Sequence, residues 1–466
     1  MNHGTPVGTD APGLKAGRLR AEAYVEQFSD STPPLTDRQA VVEADRCHYC
    51  FDAPCARACP TDIDVPSFIH RIAQHNVRGA ANAILSENIL GGMCGRVCPT
   101  ETLCEQACVR TAQEGQPVQI GRLQRYAVDR YLAELGQPLF TRAADTGKRI
   151  AVVGAGPAGL AAAHRLATQG HEVVVYDAHT KPGGLNEYGL AAYKTPDGFA
   201  QREIAWLLSV GHITLKQEHL LGRDITLAQL REEYDAVFLG MGLAGVNALG
   251  IKEPPLQGVE EAVDFIAALR QSQHLNHVAV GRSVVVIGGG MTAVDAAVQA
   301  KKLGARDVTM VYRRGEDDLK ASLHEREWAQ TNGVTLRYWS VPKALHGEAG
   351  CVTGVTFDVV KSCDGALLAT GEQFTLVADM VLKAIGQIFD AAPLDDAIRL
   401  QQGRIVADEE GRTSLSGVWA GGDCCVGGLD LTVDAVRQGK AAAQSIDNAL
   451  QTPASPFMTS QEAAHG

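Results

Sequence analysis

Eight cysteines stand between residues 47 and 108, in two groups of four: Cys47-x2-Cys50-x4-Cys55-x3-Cys59-Pro60, and Cys94-x3-Cys98-Pro99-x4-Cys104-x3-Cys108. Four thiolates hold a cubane iron–sulfur cluster, and short spacings let one loop wrap three of its corners while a more distant residue caps the fourth. Proline after a ligand cysteine is frequent in ferredoxin-like runs. Zinc is the main alternative for cysteine groups, but two four-member groups with following prolines favour two [4Fe–4S] clusters. A c-type haem needs His directly after a CxxC pair, and Phe51 occupies that place. In two-cluster ferredoxins the fourth cysteine of a run serves the other cluster. On that pattern Cys47, Cys50 and Cys55 pair with Cys108, and Cys59 joins Cys98 and Cys104. Spacing alone nominates Cys94 as the eighth ligand.

Two glycine-rich turns supply the second chemistry. Gly154-x-Gly156-x-x-Gly159 follows an apolar run and opens an Ala-rich helix. Such glycines permit a tight turn and close backbone approach to a pyrophosphate seated on the helix N-terminus. Asp177 ends the next apolar run, where an acid can bond a ribose hydroxyl. Late in the chain, Gly421-Gly422-Asp423 follows the apolar GVWA, and Thr432 begins a helical pattern. Asp423 is suited to a flavin's ribityl–phosphate arm, and the helix starting at Thr432 turns its positive end toward the isoalloxazine. These features assign the outer unit to FAD. Gly183, Gly184 and Leu185 are expected to let backbone approach the flavin. Lys194 is a weaker candidate near the ring, with a solvated surface lysine as the competing reading.

The second turn, Gly288-x-Gly290-x-x-Ala293, has the GxGxxA form common for nicotinamide nucleotides. Tyr312-Arg313-Arg314 stands where an NAD site often carries an acid. Arginine there can hold a 2′-phosphate, which favours NADP(H); adenine stacking or solvent exposure of Arg313 and Arg314 would serve as well. Two βαβ plans about 130 residues apart point to two dinucleotide-binding units, the second inserted in the first, with 379–387 and 417–425 reading as a return to the first.

The elements that must position these groups follow from 466 residues, enough for two or three domains. The expected class is α/β: an α-helical double-cluster domain, then two Rossmann-like domains, the NAD(P) one inserted in the FAD one. The expected divisions are a flexible N-terminus at 1–35, the iron–sulfur domain at 36–145, a leading FAD-domain segment at 146–280, the NAD(P) domain at 281–385, a closing FAD-domain segment at 386–450 and a tail at 451–466. Asp64 and Pro66 mark a helix start, and Ile120 to Leu135 a closing helix. A net charge of −12 disfavours nucleic acid and anionic membrane surfaces. No run reaches the ~18 apolar residues of a membrane span and no secretory signal is visible, so a cytoplasmic location is expected. The cysteine density reads as metal binding and not as a disulfide framework.

Finer features occur together: Asp52-Ala-Pro-Cys55, Cys59-Pro-Thr-x-Ile63-Asp64-Val-Pro, Asn88-Ile-Leu-Gly-Gly, Cys98-Pro-Thr-Glu-x-Leu-Cys104 and Ile120-Gly-Arg-Leu-Gln124-Arg-Tyr. As a set they make residues 36–450 resemble the small subunit of glutamate synthase and its relatives. Within that group the chain resembles the electron-input (PreT-type) subunits of NAD-dependent dihydropyrimidine dehydrogenase. The resemblance implies that Gln124, through its amide oxygen, replaces Cys94 as the fourth ligand beside Cys59, Cys98 and Cys104. It implies NAD(H) as donor, with NADP(H) open. It also implies a partner subunit that reduces the pyrimidine at an FMN barrel, within a heterotetramer. Such a barrel takes about 250 residues, and the chain has no spare segment of that size. A glutamate synthase small subunit or a ferredoxin-linked reductase is the nearest rival. A disulfide reductase would need a redox-active CxxC at the flavin, whereas Cys424 and Cys425 are adjacent.

Overall fold

The computed structural model describes residues 11–134, 138–394 and 396–451. Short helices make up the first domain. Asp64 caps Val65–Ala73 by accepting from Ser67 N at 3.1 Å, with Pro66 in the first turn. The helix buries Val65, Phe68, Ile69 and Ile72, the spacing that puts one apolar stripe on the core. Ile120–Glu134 closes the domain and buries Ile120, Leu123, Ala127 and Val128 in that core.

Two parallel five-stranded sheets follow, with the same plan. The first runs Val418–Ala420, Ala236–Leu239, Arg149–Val153, Glu172–Tyr176, Ile213–Lys216. The second runs Val259–Glu261, Met380–Ala384, Ser283–Gly288, Asp307–Val311, Thr335–Arg337. Every strand of the second lies in sequence between two strands of the first, so the second unit is an insertion in the first. Parallel sheets bury both faces and read as unbroken apolar runs, which is why IAVV and VVVI were legible. An antiparallel sheet of Ser340–Glu348, Cys351–Cys363 and Ala366–Val377 leads back to the second unit's last strand.

Three expectations need correction. Met380–Ala384 pairs with Ser283–Gly288, so the segment at 379–387 belongs to the second sheet and is not a return to the first. Val259–Glu261 also pairs in the second sheet, which therefore reaches back before residue 281. Within 11–35 the chain is anchored. Arg18 is 2 % exposed and donates to the carbonyls of Ala11, Gly13 and Val280, while Gly13 N donates to Asp379. Tyr24 and Phe28 enter the second unit's core. The Arg18–Val280 and Gly13–Asp379 contacts are long-range and polar, and periodicity carries no trace of them. Residues 1–10 and the expected tail beyond Gln451 lie outside the described residues.

Candidate functional site

The cysteines of the helical domain are free thiols, and Cys47, Cys55, Cys59, Cys104 and Cys108 line its core. Burial pushes the Cys47 thiol up, and the Cys50 and Cys108 sulfurs add to it. Burial likewise lifts Cys55 to about 11, helped by Cys108 and Cys47. Cys98 is raised by burial and then by Cys94, Cys104 and Cys59; Cys104 is raised by burial, with Glu105 and Cys59 adding to it. Cys47, Cys50, Cys55 and Cys108 influence one another, as do Cys59, Cys94, Cys98 and Cys104, and Cys55 also acts on Cys104 across the two groups. Among the described residues no three His, Cys, Asp or Glu side chains converge on one point as a single ion requires. A cubane offers a separate iron to each thiolate, so its ligands stand further apart. Binding would also deprotonate these thiols outright, offsetting the burial cost.

Gln124 and Cys94 differ in what they offer. Gln124 is buried, and its amide nitrogen donates to Gly91 O at 2.7 Å, which fixes the amide and leaves the oxygen for another partner. Cys94 lies on the helix Gly91–Val97, fully buried, its sulfur accepting from Asn88 Nδ2 at 3.2 Å. Burial drives its thiol well above the ordinary value, with Glu203 adding to the effect. The thiols and the Gln124 amide oxygen are donors of the kind that [4Fe–4S] clusters take.

The flavin-side residues converge on the N-terminus of the helix Pro157–Thr168. Gly154 has φ +99°, and a methyl there would lie 2.3 Å from Gly240 O. Gly159 crosses Gly154 as closely. Gly156 is different: its φ is −79°, and an added Cβ would meet only Gly184 Cα at 3.8 Å. That open side is a cradle a methyl would fill, and a pyrophosphate fits it. Asp177 is buried; its carboxylate accepts from Ala155 N at 2.6 Å and His179 N at 2.8 Å, so it also braces the glycine turn. Gly184 packs on Gly156 and starts the short helix Leu185–Tyr188. Thr432, first residue of Thr432–Gln451, donates to Asn186 Oδ1 at 2.8 Å. Gly422, at φ +83°, lies against Ala158. Burial lifts Asp423 to about 6, with Asp430 adding to it.

Lys194 is neither solvated nor free. Its ammonium lies 2.7 Å from Asp295 and 2.7 Å from Glu325, so it ties the flavin-side segment to the second unit. Arg270, from the second unit's helix Ala262–Gln271, donates to the carbonyls of Glu187, Leu190 and Asn186 and to Thr195 Oγ1. Sequence reasoning missed Arg270, because a clamp on carbonyls leaves no motif.

In the second unit a cavity of about 570 Å³ is lined by Gly288, Gly290, Tyr312, Arg313, Arg314, Lys320 and Lys383, among others, with no Asp or Glu. Gly290 has nothing within 4 Å of an added Cβ, again an open cradle, and Ala293 is buried where the helix meets the sheet. Lys383 is paired with Glu253 and Glu261. Arg313, Arg314 and Lys320 line the cavity, and among the described residues their side chains have no hydrogen bond or ion pair. Lys320 was not foreseen; it lies beyond the strand end where the arginines stand.

The helical domain is seated on the flavin unit beside the second thiol set. Glu203 of Phe199–Leu208 accepts from Gly92 N at 2.7 Å and from Met93 N, and burial lifts it to about 8. Lys440 of Thr432–Gln451 pairs with Glu87 at 2.6 Å and donates to Thr61 O, while Thr61 Oγ1 lies 3.3 Å from Cys59 Sγ.

A cysteine-rich helical domain seated on a flavin-type unit, with a second dinucleotide unit inserted in it, defines a nicotinamide-linked iron–sulfur flavoprotein. Residues 24–135 match the family described as dihydropyrimidine dehydrogenase domain II, 4Fe-4S cluster, and residues 148–439 match the pyridine nucleotide-disulphide oxidoreductases. The chain belongs to the latter family, carrying the former as its amino-terminal domain. Among its relatives, the NAD-dependent dihydropyrimidine dehydrogenase subunit PreT of Escherichia coli O157:H7 is 36 % identical over 91 % of this chain and 97 % of its own length. The glutamate synthase [NADPH] small chain of Halomonas elongata is 33 % identical over 94 % and 96 %. In fold, the chain is similar to FprA of Mycobacterium tuberculosis, solved in complex with NADPH, with TM-score 0.55, 19 % identity and coverage of 65 % of this chain and 84 % of that one. The protein is an NAD(P)H-dependent electron-transfer oxidoreductase whose cofactors are FAD, [4Fe–4S] clusters and the nicotinamide nucleotide. No helix among the described residues is long and apolar enough to cross a membrane.

Proposed function

We propose that this chain is the electron-input subunit of a dihydropyrimidine dehydrogenase. NADH is the donor, and the clusters lead to an FMN-containing partner subunit that reduces uracil or thymine to the 5,6-dihydropyrimidine, in a cytoplasmic heterotetramer. FAD supplies the conversion of a hydride's electron pair into the single electrons that clusters carry. The chain's own residues bind and position. Gly154, Gly156, Gly159, Asp177, Gly184, Leu185, Gly422, Asp423 and Thr432 form the flavin cradle; Gly288, Gly290, Ala293, Arg313 and Arg314 form that of the nicotinamide nucleotide. Cys47, Cys50, Cys55 and Cys108 hold one cluster, and Cys59, Cys98, Cys104 and Gln124 the other. The observation that carries this reading is the alignment with the dihydropyrimidine dehydrogenase subunits over almost their whole length. Glutamate synthase small chains align nearly as fully, so the acceptor is the discriminating test. The isolated chain should reduce ferricyanide with NADH and leave uracil unchanged; with the FMN subunit added, uracil should be consumed. Uracil reduction by the pure chain would overturn the partner reading.

The geometry favours a second reading on one point, the donor. Three cations without partners face a cavity that has no carboxylate, a setting for a 2′-phosphate. A charge-assisted hydrogen bond contributes about 1.5–3 kcal/mol, roughly ten- to hundredfold in affinity. If NADPH is used, kcat/KM for NADPH should exceed that for NADH, and Arg314→Ala should lower the former about tenfold or more while leaving the latter nearly unchanged. Equal losses for both nucleotides, or a wild-type preference for NADH, would reject the 2′-phosphate site.

A further inference from the structure

Cys424 and Cys425 follow Asp423 directly, and no cluster, flavin or nucleotide contact described above uses them. Both are buried, at 0 % and 3 % exposure, and both are free thiols. In extended backbone, consecutive side chains point to opposite faces. Here a turn closed by Cys425 N donating to Gly422 O at 2.9 Å, with Gly422 at φ +83°, sends both thiols into one core with Leu239, Val418 and Ala420. The two sulfurs are neighbours along the chain within that one core. As a thiol, Cys424 can donate to Leu239 O at 3.5 Å or Gly421 O at 3.4 Å. The backbone of Met241 and Gly242 also lowers the Cys424 thiol. With Cys425 as hydrogen-bond donor, Cys424 is held below the ordinary thiol value, while Cys425, which keeps the proton, is pushed up. A buried thiol held below its ordinary value beside a second thiol is the arrangement of a redox-responsive pair.

We propose that Cys424 and Cys425 form an oxidisable vicinal dithiol in the wall of the flavin cradle, closed by hydrogen peroxide to an eight-membered disulfide ring. The Cys424 thiolate attacks peroxide, an O–O bond breaks, and a sulfenic acid and hydroxide form. The Cys425 sulfur then displaces the sulfenic oxygen, which leaves as water with the Cys425 proton. Hydroxide takes up the proton that Cys424 lost on ionising. Two thiols and one peroxide thus give one disulfide and two waters, and two electrons pass from sulfur to oxygen. Peroxide is the ordinary product of reduced flavin meeting dioxygen, so a flavoprotein generates this oxidant itself.

Ring closure must turn the Cys424–Cys425 peptide. Its carbonyl accepts from Ile405 N at 2.9 Å, its N–H donates to Gly422 O, and Val426 N, one residue on, donates to Ile405 O. Turning it displaces Gly422 and Asp423, so oxidation loosens the flavin. This consequence rests on the placement of Asp423 at the flavin; the dithiol chemistry does not.

The test uses holoenzyme purified without oxygen. A small excess of hydrogen peroxide is added, stopped with catalase, and the protein is unfolded in alkylating reagent and digested. The peptide holding Cys424 and Cys425 should be two hydrogens lighter and unalkylated. Bound flavin and ferricyanide reduction should fall with it and return with dithiothreitol, and iron counted in the same samples separates cluster damage from this effect. Cys425→Ser, which cannot close the ring, should keep its flavin under the same treatment. Full alkylation of both cysteines after peroxide treatment would overturn the proposal, as would flavin loss in Cys425→Ser at the wild-type rate. A disulfide formed with flavin fully retained would sustain the dithiol and overturn the placement of Asp423.

Discussion

Gly156→Ala should give a protein as stable as the wild type, with both clusters in place and its flavin binding greatly weakened. The backbone at Gly156 has φ −79°, a conformation any residue adopts, and an added methyl would touch nothing nearer than 3.8 Å. Nothing in the folded chain therefore resists the substitution. The methyl would stand in the open cradle at the N-terminus of Pro157–Thr168, where a pyrophosphate must approach backbone closely. Overpacking of a tight site costs about 1–3 kcal/mol, roughly ten- to hundredfold in affinity. Gly154→Ala is the contrast. It combines φ +99° with a methyl 2.3 Å from Gly240 O, so it should lower the melting temperature as well as remove the flavin. Flavin content and thermal melting of the two variants separate a ligand cradle from a packing glycine. If Gly156→Ala keeps full flavin, the pyrophosphate does not lie there.

Gln124→Leu should lose one cluster, taking iron from about eight to about four per chain, and Cys94→Ser should lose none. Leu keeps the bulk of Gln124 while removing the amide oxygen. The Gln124 amide is already oriented by its bond to Gly91 O, so its oxygen needs no reorganisation to ligate. Cys94 is held by Asn88, and both burial and Glu203 oppose its thiolate, the form in which cysteine binds iron. Two EPR signals in reduced Cys94→Ser and one in Gln124→Leu would support the amide ligand. The opposite pattern would restore Cys94, the residue nominated by spacing.

Much of the architecture was legible because its signals are local. Glycine turns follow apolar runs at 149–159 and 283–293, and parallel strands buried on both faces cannot be mistaken for amphipathic ones. The proposed division of the cysteines rests on spacing and the ferredoxin exchange pattern, and the proposed role of Gln124 on the family resemblance, since nothing in its own neighbourhood distinguishes it from a polar helix residue. What escaped the sequence lies in contacts across long separations. Val259–Glu261 is too short to carry a period and finds its place only by pairing with Met380–Ala384. Arg18 and Arg270 act through carbonyls hundreds of residues away or on another unit. Lys194 could be read only as a flavin-side or a surface lysine because Asp295 and Glu325, which neutralise it, are more than 100 residues on. The turn that brings Cys424 and Cys425 to one side is set by Gly422, and an adjacent pair in a linear reading gives no hint of it.

The most direct measurement is anaerobic rapid mixing of the purified chain with NADH and, separately, NADPH, following flavin absorbance and freezing samples for EPR. With at least one of the two nucleotides, the flavin should bleach first and reduced [4Fe–4S] signals should then grow, in a protein containing iron, sulfide and FAD. Flavin bleaching with no cluster signal to follow, or zinc where iron is expected, would contradict electron transfer from nicotinamide through flavin to the clusters.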